Sequence, residues 1–287
     1  ETLCGQVGTV QQHLLRELTA EVRQAGESLG AIVEGITWLD LAFAAGDLSH
    51  QLGGHAPTLV EAPEIRLDRA YHPLLLLQIG DGTVERPVPL TLNLDAGDSL
   101  TVITGPNTGG KTVALKTVGL LTAMAQCGLH IPAEGDCTFG WYDRIMVDVG
   151  DRQSLYHHLS TFAGHVEVLK RILEEADGRT LVLLDELGTG TDPEEGAALA
   201  MAVLDELVER GVQGIVNTHL APLKDYAADK KHLRNASMLF DETTLQPTYQ
   251  LCLGRPGVSL GLTIAEANGL SGTLVSRARR HLAAIKQ

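Results

Sequence analysis

VITGPNTGGKTVALKT, residues 102–117, runs from a short apolar segment through a glycine-rich loop into a helical pattern. Gly105 to Thr112 fits G-x-x-x-x-G-K-[ST], the spacing of a loop that cradles a nucleoside triphosphate. Gly105, Gly109 and Gly110 let the backbone curl until successive N–H groups point at phosphate oxygens. Lys111 adds a point charge for the outer phosphates, and the Thr112 hydroxyl is placed to ligate Mg2+. A helix beginning there aims its positive end at the same anion. The nucleotide-binding set is therefore Gly105, Pro106, Asn107, Thr108, Gly109, Gly110, Lys111, Thr112 and Val113, with ATP or ADP and Mg2+ as ligands.

Three other stretches supply chemistry. TLVLLDELGTGTDPEEG (180–196) is an apolar strand ending in Asp185 and Glu186. This puts two carboxylates at the carboxyl edge of a parallel sheet, where phosphates bind. Asp185 is the candidate Mg2+ holder and Glu186 the candidate general base that polarises water. A strand ending in two acids is a weak signal alone and gains meaning from the loop upstream. GIVNTHL (214–220) brings His219 to the same edge, in position to sense a γ-phosphate, although a lone histidine is more often structural. In SLYHHLSTFAGHV (154–166), Ser160 and Thr161 precede a helical pattern. Capping alone explains them. A hydroxyl at a helix N-terminus is also an anion site, and Ser160 could reach a phosphate bound in a second subunit.

Composition narrows the rest. The 287 residues are 44% hydrophobic and 20% charged, enough for one large domain or one domain with an appendage. With 36 acidic and 22 basic residues the formal charge is −14, which argues against strong general DNA binding by this chain. The basic cluster SRARRHL reads as a solvated helix face. No unbroken apolar run approaches the roughly 18 residues of a membrane span, and there is no signal-peptide pattern. PLLLL and TLVLL have the length of buried strands. Cys4, Cys127, Cys137 and Cys252 form no C-x-x-C pair, so no disulfide and no structural zinc are expected, and the expected location is cytoplasmic.

Along the chain, residues 9–52 read as two helices separated near AGES, a short enough break for an antiparallel hairpin. The second carries Leu29, Ile32, Ile36, Leu39 and Phe43 as one narrow stripe, and ETLCGQVG does not continue the pattern. From Thr58 short β-rich runs take over, followed by alternating helices and strands: a helix 111–126, strand RIMVDV, helix STFAGHVEVLKRILEEA, strand TLVLLDE, helix from Pro193 to about Arg210, strand GIVNT, a strand near TYQLCLG and helices near 263–269 and 271–286. The fold class is α/β, with a mixed, centrally parallel sheet flanked by helices and preceded by a helical hairpin.

Taken together, GPNTGGKT, STF, DELGTGT and NTHL resemble the ABC-type P-loop ATPases, with LSTF standing where transporters have LSGGQ. GPNTGGKTVALKT, GLLTAMAQCGLHIPA, DVGDRQSLYHHLSTF, LGTGTDPEEGAALA and the tail from Gly254 resemble the second bacterial branch of the MutS family. The resemblance implies residues 1–57 as a remnant of the lever arms and 58–287 as the ATPase domain. It implies a head-to-tail homodimer with each ATP held between Lys111, Thr112, Asp185, Glu186 and His219 of one subunit and Ser160 of the other, with Asp192 at the dimer contact. Catalytic roles then fall to Glu186, His219, Lys111 and Ser160. The implied partners are branched or recombining DNA, reached mainly through domains missing from this chain, and alternatively a collided ribosome; no membrane is implied. The clamp, most of the lever and the small C-terminal nuclease domain of that branch are absent from this sequence, so no nuclease activity is expected of it. The adenine pocket is not legible, with residues near Val88 as candidates.

Overall fold

A computed structural model describes residues 2–79, 86–95, 97, 100–105, 109–150, 161–241, 243–244, 246–257, 261–267 and 269–285. The chain divides into two units, 1–50 and 51–287.

The first unit is helical, α1 (Thr2–Gln24) followed by α2 (Gly26–Leu52). The expected hairpin is absent. Ala25 N–H donates to the Glu21 carbonyl at 3.2 Å and Leu29 N–H to the Ala25 carbonyl at 2.9 Å, so the i→i−4 ladder continues past the junction. A single intervening residue is also too short for a reversal, which takes two to five. ETLCGQVG is helical from Thr2, against expectation. Val10, Leu14, Leu18, Val22, Ile32, Ile36 and Phe43 are all exposed. Val33, Trp38 and Leu41 are exposed as well, so the apolar surface wraps around α2 instead of forming a narrow stripe. By length and composition Gly26–Leu52 could cross a membrane, at mean hydropathy 1.4. Charged residues interrupt it, which is why no continuous apolar run flagged it.

The second unit contains β1 (Thr58–Val60), β2 (Ile65–Ala70), α3 (Pro73–Gln78), β3 (Leu90–Leu94), β4 (Leu100–Thr104), α4 (Lys111–Gln126), β5 (Thr138–Gly140), β6 (Arg144–Asp148) and α5 (Thr161–Glu175). There follow β7 (Thr180–Leu184), α6 (Pro193–Glu209), β8 (Gln213–Thr218), α7 (Pro222–Ala228), β9 (Leu233–Phe240), β10 (Pro247–Leu253), α8 (Gly261–Ala267) and α9 (Gly272–Ile285). A small sheet has the order β1-β5-β2-β3; a larger one has the order β10-β9-β4-β8-β7-β6. In the larger sheet every pair from β9 to β6 is parallel and only the edge strand β10 runs antiparallel. The mixed, centrally parallel α/β architecture is thus as expected.

Strands β4, β7 and β8 are buried along their whole length, because a parallel sheet covered on both faces has no polar side. Val182, Leu184 and Val216 join side chains of α5, α6 and α7 in one core. The alternate residue Leu183 meets α4 instead: a Cβ on Gly119 would lie 2.6 Å from its Cδ1, so that glycine lets the helix approach the sheet.

PLLLL is not a strand but most of α3. Pro73 occupies the first helical position after an extended His72 (φ −71, ψ 116), the place where a missing N–H does no harm. The sequence also gave no sign of α7 or of β9, although β9 pairs directly with β4.

Candidate functional site

The three strands that carry the sequence motifs run parallel and end within two residues of one another. β8 lies between β4 and β7, with Thr104 opposite Thr218 and Leu184 opposite Val216. The residues that follow, Gly105, Asp185 and His219, therefore leave the same edge of the sheet.

Lys111 opens α4 and is 2% exposed, with its Nζ donating to the Gly105 carbonyl. Burial pushes its pKa down; the Asp185 and Glu186 carboxylates work against that, and the Lys224 ammonium adds to the lowering. The four charges therefore share one neighbourhood. Gly105 (φ 129) and Gly110 (φ 93), the residue before the helix, adopt conformations that only glycine takes without strain. Thr112 is half-buried on the first helical turn, and Gly109 is buried. Pro106, Asn107, Thr108 and Ser160 lie outside the described residues.

Asp185 is 9% exposed. Its main-chain N–H donates to the Asp148 carbonyl at 2.8 Å, and its Oδ1 accepts from Asn217 Nδ2 at 3.0 Å. Glu186, half-buried, sits at φ 54, a left-handed conformation that a non-glycine residue holds only when its surroundings enforce it. The corner after it is tied to β8: Leu187 N–H donates to the Asn217 carbonyl at 3.1 Å and Thr218 Oγ1 donates to the Leu187 carbonyl at 3.3 Å. Gly188 (φ 83) lets the turn close, since a Cβ there would lie 2.5 Å from the Gly196 carbonyl oxygen. Asp192 caps α6, accepting from Glu194 N–H at 2.9 Å and Glu195 N–H at 3.3 Å. His219 is exposed directly after β8.

Beside the first turn of α4 opens a cavity of about 330 Å³, lined by His72, Val88, Leu90, Val113, Met238 and Tyr249 among others. His72 Nδ1 is buried and has no hydrogen-bond partner among the described residues. Burial, and then the nearby Lys116, lowers the pKa of that imidazole. Val88, Gly110 and Val113 are the lining residues that the sequence singled out.

A strand–loop–helix with a buried lysine, facing two strand-end carboxylates and a mostly apolar cavity, is the arrangement of a nucleotide-handling domain. Residues 101–286 match the sequence pattern of MutS domain V. The chain belongs to the MutS family. Domain V is the ATPase domain of these proteins. The chain is 43% identical over 94% of its length to "Endonuclease MutS2" of Symbiobacterium thermophilum and 45% identical over 92% to that of Thermus thermophilus. The Clostridioides difficile protein of the same name is 43% identical over 94%. The chain spans about a third of the length of these curated relatives (33% to 34%).

Several residues of this MutS core escaped sequence reading. Asn217, which holds Asp185, is an inconspicuous amide inside an apolar strand. Met238 and Tyr249 reach the cavity from β9 and β10, over a hundred residues after the loop they face. Lys224, whose Nζ donates to the Gly257 carbonyl at 2.5 Å, lies on a helix that was not anticipated. No local pattern marks any of these; only the strand order brings them in.

Proposed function

We propose that the chain is the ATP-hydrolysing dimerisation core of a MutS2-like DNA-processing protein, with residues 58–287 as its ATPase domain and 1–57 as a remnant of the lever arms. The observation that carries the reading is the buried Lys111 at the N-terminus of α4, close enough to Asp185 and Glu186 for their charges to act on it. A dry ammonium facing two carboxylates fits a tetra-anionic phosphate chain with a divalent cation between them better than it fits an empty interior. The Asn217 bond orients one Asp185 oxygen and leaves the other for such a cation, which fits Mg2+.

Within this reading the main-chain N–H groups of Gly105 and of Asn107 to Val113 receive the phosphates and Lys111 neutralises the outer ones. Thr112 and Asp185 hold Mg2+, and Glu186 accepts the proton of the attacking water. When bound, Mg2+ supplies positive charge to the phosphate oxygens as a Lewis acid. His219 hydrogen-bonds the γ-phosphate, and Ser160 of a second copy completes the site from across a head-to-tail homodimer. The cavity beside Val113, with Val88 and Tyr249, takes the adenine. The family membership and the name that the relatives carry support DNA as the whole protein's substrate, and the net charge of −14 supports contacts made mainly through the two thirds of the relatives' length not spanned here.

The test is phosphate release and nucleotide binding by the wild-type chain, Glu186→Gln and Lys111→Ala. Glu186→Gln should bind ATP normally while hydrolysis falls by roughly 100-fold or more; Lys111→Ala should lose binding. Near-normal turnover by Glu186→Gln removes it as the base. Specific activity should rise with protein concentration, and mixing Ser160→Ala with Lys111→Ala should restore turnover that neither has alone. A flat profile with no rescue rules out the shared site.

A further inference from the structure

α5 is seated against the hydrolytic corner at two points. Phe162, in its first turn, packs on Gly190 of the loop after Glu186: a Cβ on that glycine would lie 3.3 Å from the Phe162 Cβ. One turn on, His165 Nδ1 lies 2.7 Å from Asp148 Oδ2, with the two side chains 21% and 7% exposed. A carboxylate only accepts, so we assign the proton to Nδ1. Asp148 is the last residue of β6, and its carbonyl receives the N–H of Asp185. One residue thus holds the helix with its side chain and the strand end that carries the site carboxylates with its main chain. A small cavity between them is walled by Asp148, His165, Asp185, Glu186 and Phe162.

We propose that His165 is a positioning residue for ATP hydrolysis, acting through Asp148 to hold the wall against which Glu186 is oriented. The inference rests on the ATPase reading above. Its physical ground is the conformation of Glu186. At φ 54 that residue is held by its surroundings and not by its own preference. Removing the imidazole opens the cavity beside the carboxylate and releases Asp148 from α5. Glu186 then samples orientations in which it no longer meets the attacking water. The phosphate-holding groups Lys111 and Thr112 stand on a different helix, so nucleotide affinity is spared. His165 is therefore a residue of the turnover step and not of the binding step.

The imidazole nitrogens allow a test that a merely structural role would not pass. The amide nitrogen of asparagine overlays Nδ1, whereas that of glutamine overlays Nε2. Steady-state ATPase kinetics, nucleotide affinity and melting temperature are to be measured on the full chain for His165→Ala, His165→Asn and His165→Gln. His165→Ala is expected to lower kcat by roughly 100-fold while KM and nucleotide Kd move by less than about threefold. His165→Asn is expected to recover most of kcat and His165→Gln little of it. If His165→Ala does not fold, the Asn-against-Gln comparison decides alone. Wild-type kcat in His165→Ala, or equal kcat in the Asn and Gln variants, overturns the inference and leaves the ATPase reading standing. A wild-type chain that neither binds nor hydrolyses ATP overturns both.

Discussion

Asn217→Ala probes the link between β8 and the candidate metal carboxylate. Asn217 is fully buried, and its Nδ2 donates to Asp185 Oδ1 at 3.0 Å. A hydrogen bond to a charged group contributes about 1.5–3 kcal/mol, and most of that is lost when the donor goes, because the carboxylate remains. Asp185 is 9% exposed and sits at the rim of the site, so water can replace part of the lost bond. This places the expected loss near the lower end, about 2 kcal/mol, or roughly 4–8 °C in melting temperature for a unit of this size. Thermal unfolding followed by circular dichroism, without nucleotide, measures it. Asn217→Asp gives the sharper contrast. Two carboxylates about 3 Å apart cannot both ionise, which raises one folded-state pKa above its unfolded value. A raised carboxylate pKa removes stability as pH climbs through it and restores stability on acidification. The Asn217→Asp deficit should therefore shrink as pH falls toward 4, while that of Asn217→Ala stays level. A melting shift below about 1 °C in Asn217→Ala, or an Asn217→Asp deficit that grows on acidification, would refute the assigned bond.

Other perturbations follow from the same geometry. Gly188→Ala combines a left-handed φ of 83 with a Cβ 2.5 Å from the Gly196 oxygen; a loss of about 2–5 kcal/mol, with ATP turnover lost beside it, is expected from calorimetry and phosphate release. Val113→Trp fills the cavity from a side chain that is 42% exposed, so the fold should survive while ATP affinity drops by about tenfold or more, near 1.4 kcal/mol, in a titration. His72 has a folded pKa below the ordinary 6.5 because of burial and then Lys116. Its stabilising contribution is present above 6.5 and is lost as pH falls through the folded value. The stability gap between wild type and His72→Gln, from denaturant midpoints at pH 5–8, should therefore narrow on acidification; a constant gap would show that His72 does not titrate differently in the fold.

How much could be read in advance depended on how local the signal was. The loop from Gly105 to Thr112 declares itself because its chemistry needs fixed residue types at fixed offsets. α4 was anticipated from residue 111 to 126 and is found from Lys111 to Gln126. β7 and β8 were legible because buried parallel strands are unbroken apolar runs. β9 pairs with β4 just as closely, yet LRNASMLF carries Arg234, Asn235 and Ser237, which interrupt the apolar run. Arg234 donates to the Asn93 carbonyl and Asn235 Nδ2 to the Lys224 carbonyl, partners that a local pattern cannot show. The opposite error occurred at PLLLL, where leucine content suggested a buried strand and Pro73 started a helix. The expected break near AGES does not form, because Gly26 only weakens helix propensity by about 1 kcal/mol and the hydrogen-bond ladder runs on through it.

Lys111, Asp185 and Glu186 share a property that composition could not reveal: each is held in a state it would not choose alone. Lys111 keeps its charge out of water, Asp185 is a nearly buried carboxylate, and Glu186 occupies a left-handed backbone conformation. Strain and desolvation of this kind cost about 1–3 kcal/mol per residue and persist only where the surrounding structure over-determines them. Here the over-determination is visible. Asn217 and Asp148 hold Asp185 from the two neighbouring strands, Thr218 holds the Leu187 carbonyl, and Gly188 and Gly196 close the turn behind Glu186. Because these supports come from β6, β8 and α6 together, a perturbation of any one reaches Glu186 through the backbone. Through Phe162 against Gly190 and His165 against Asp148, α5 is seated on the same corner and shares in that over-determination.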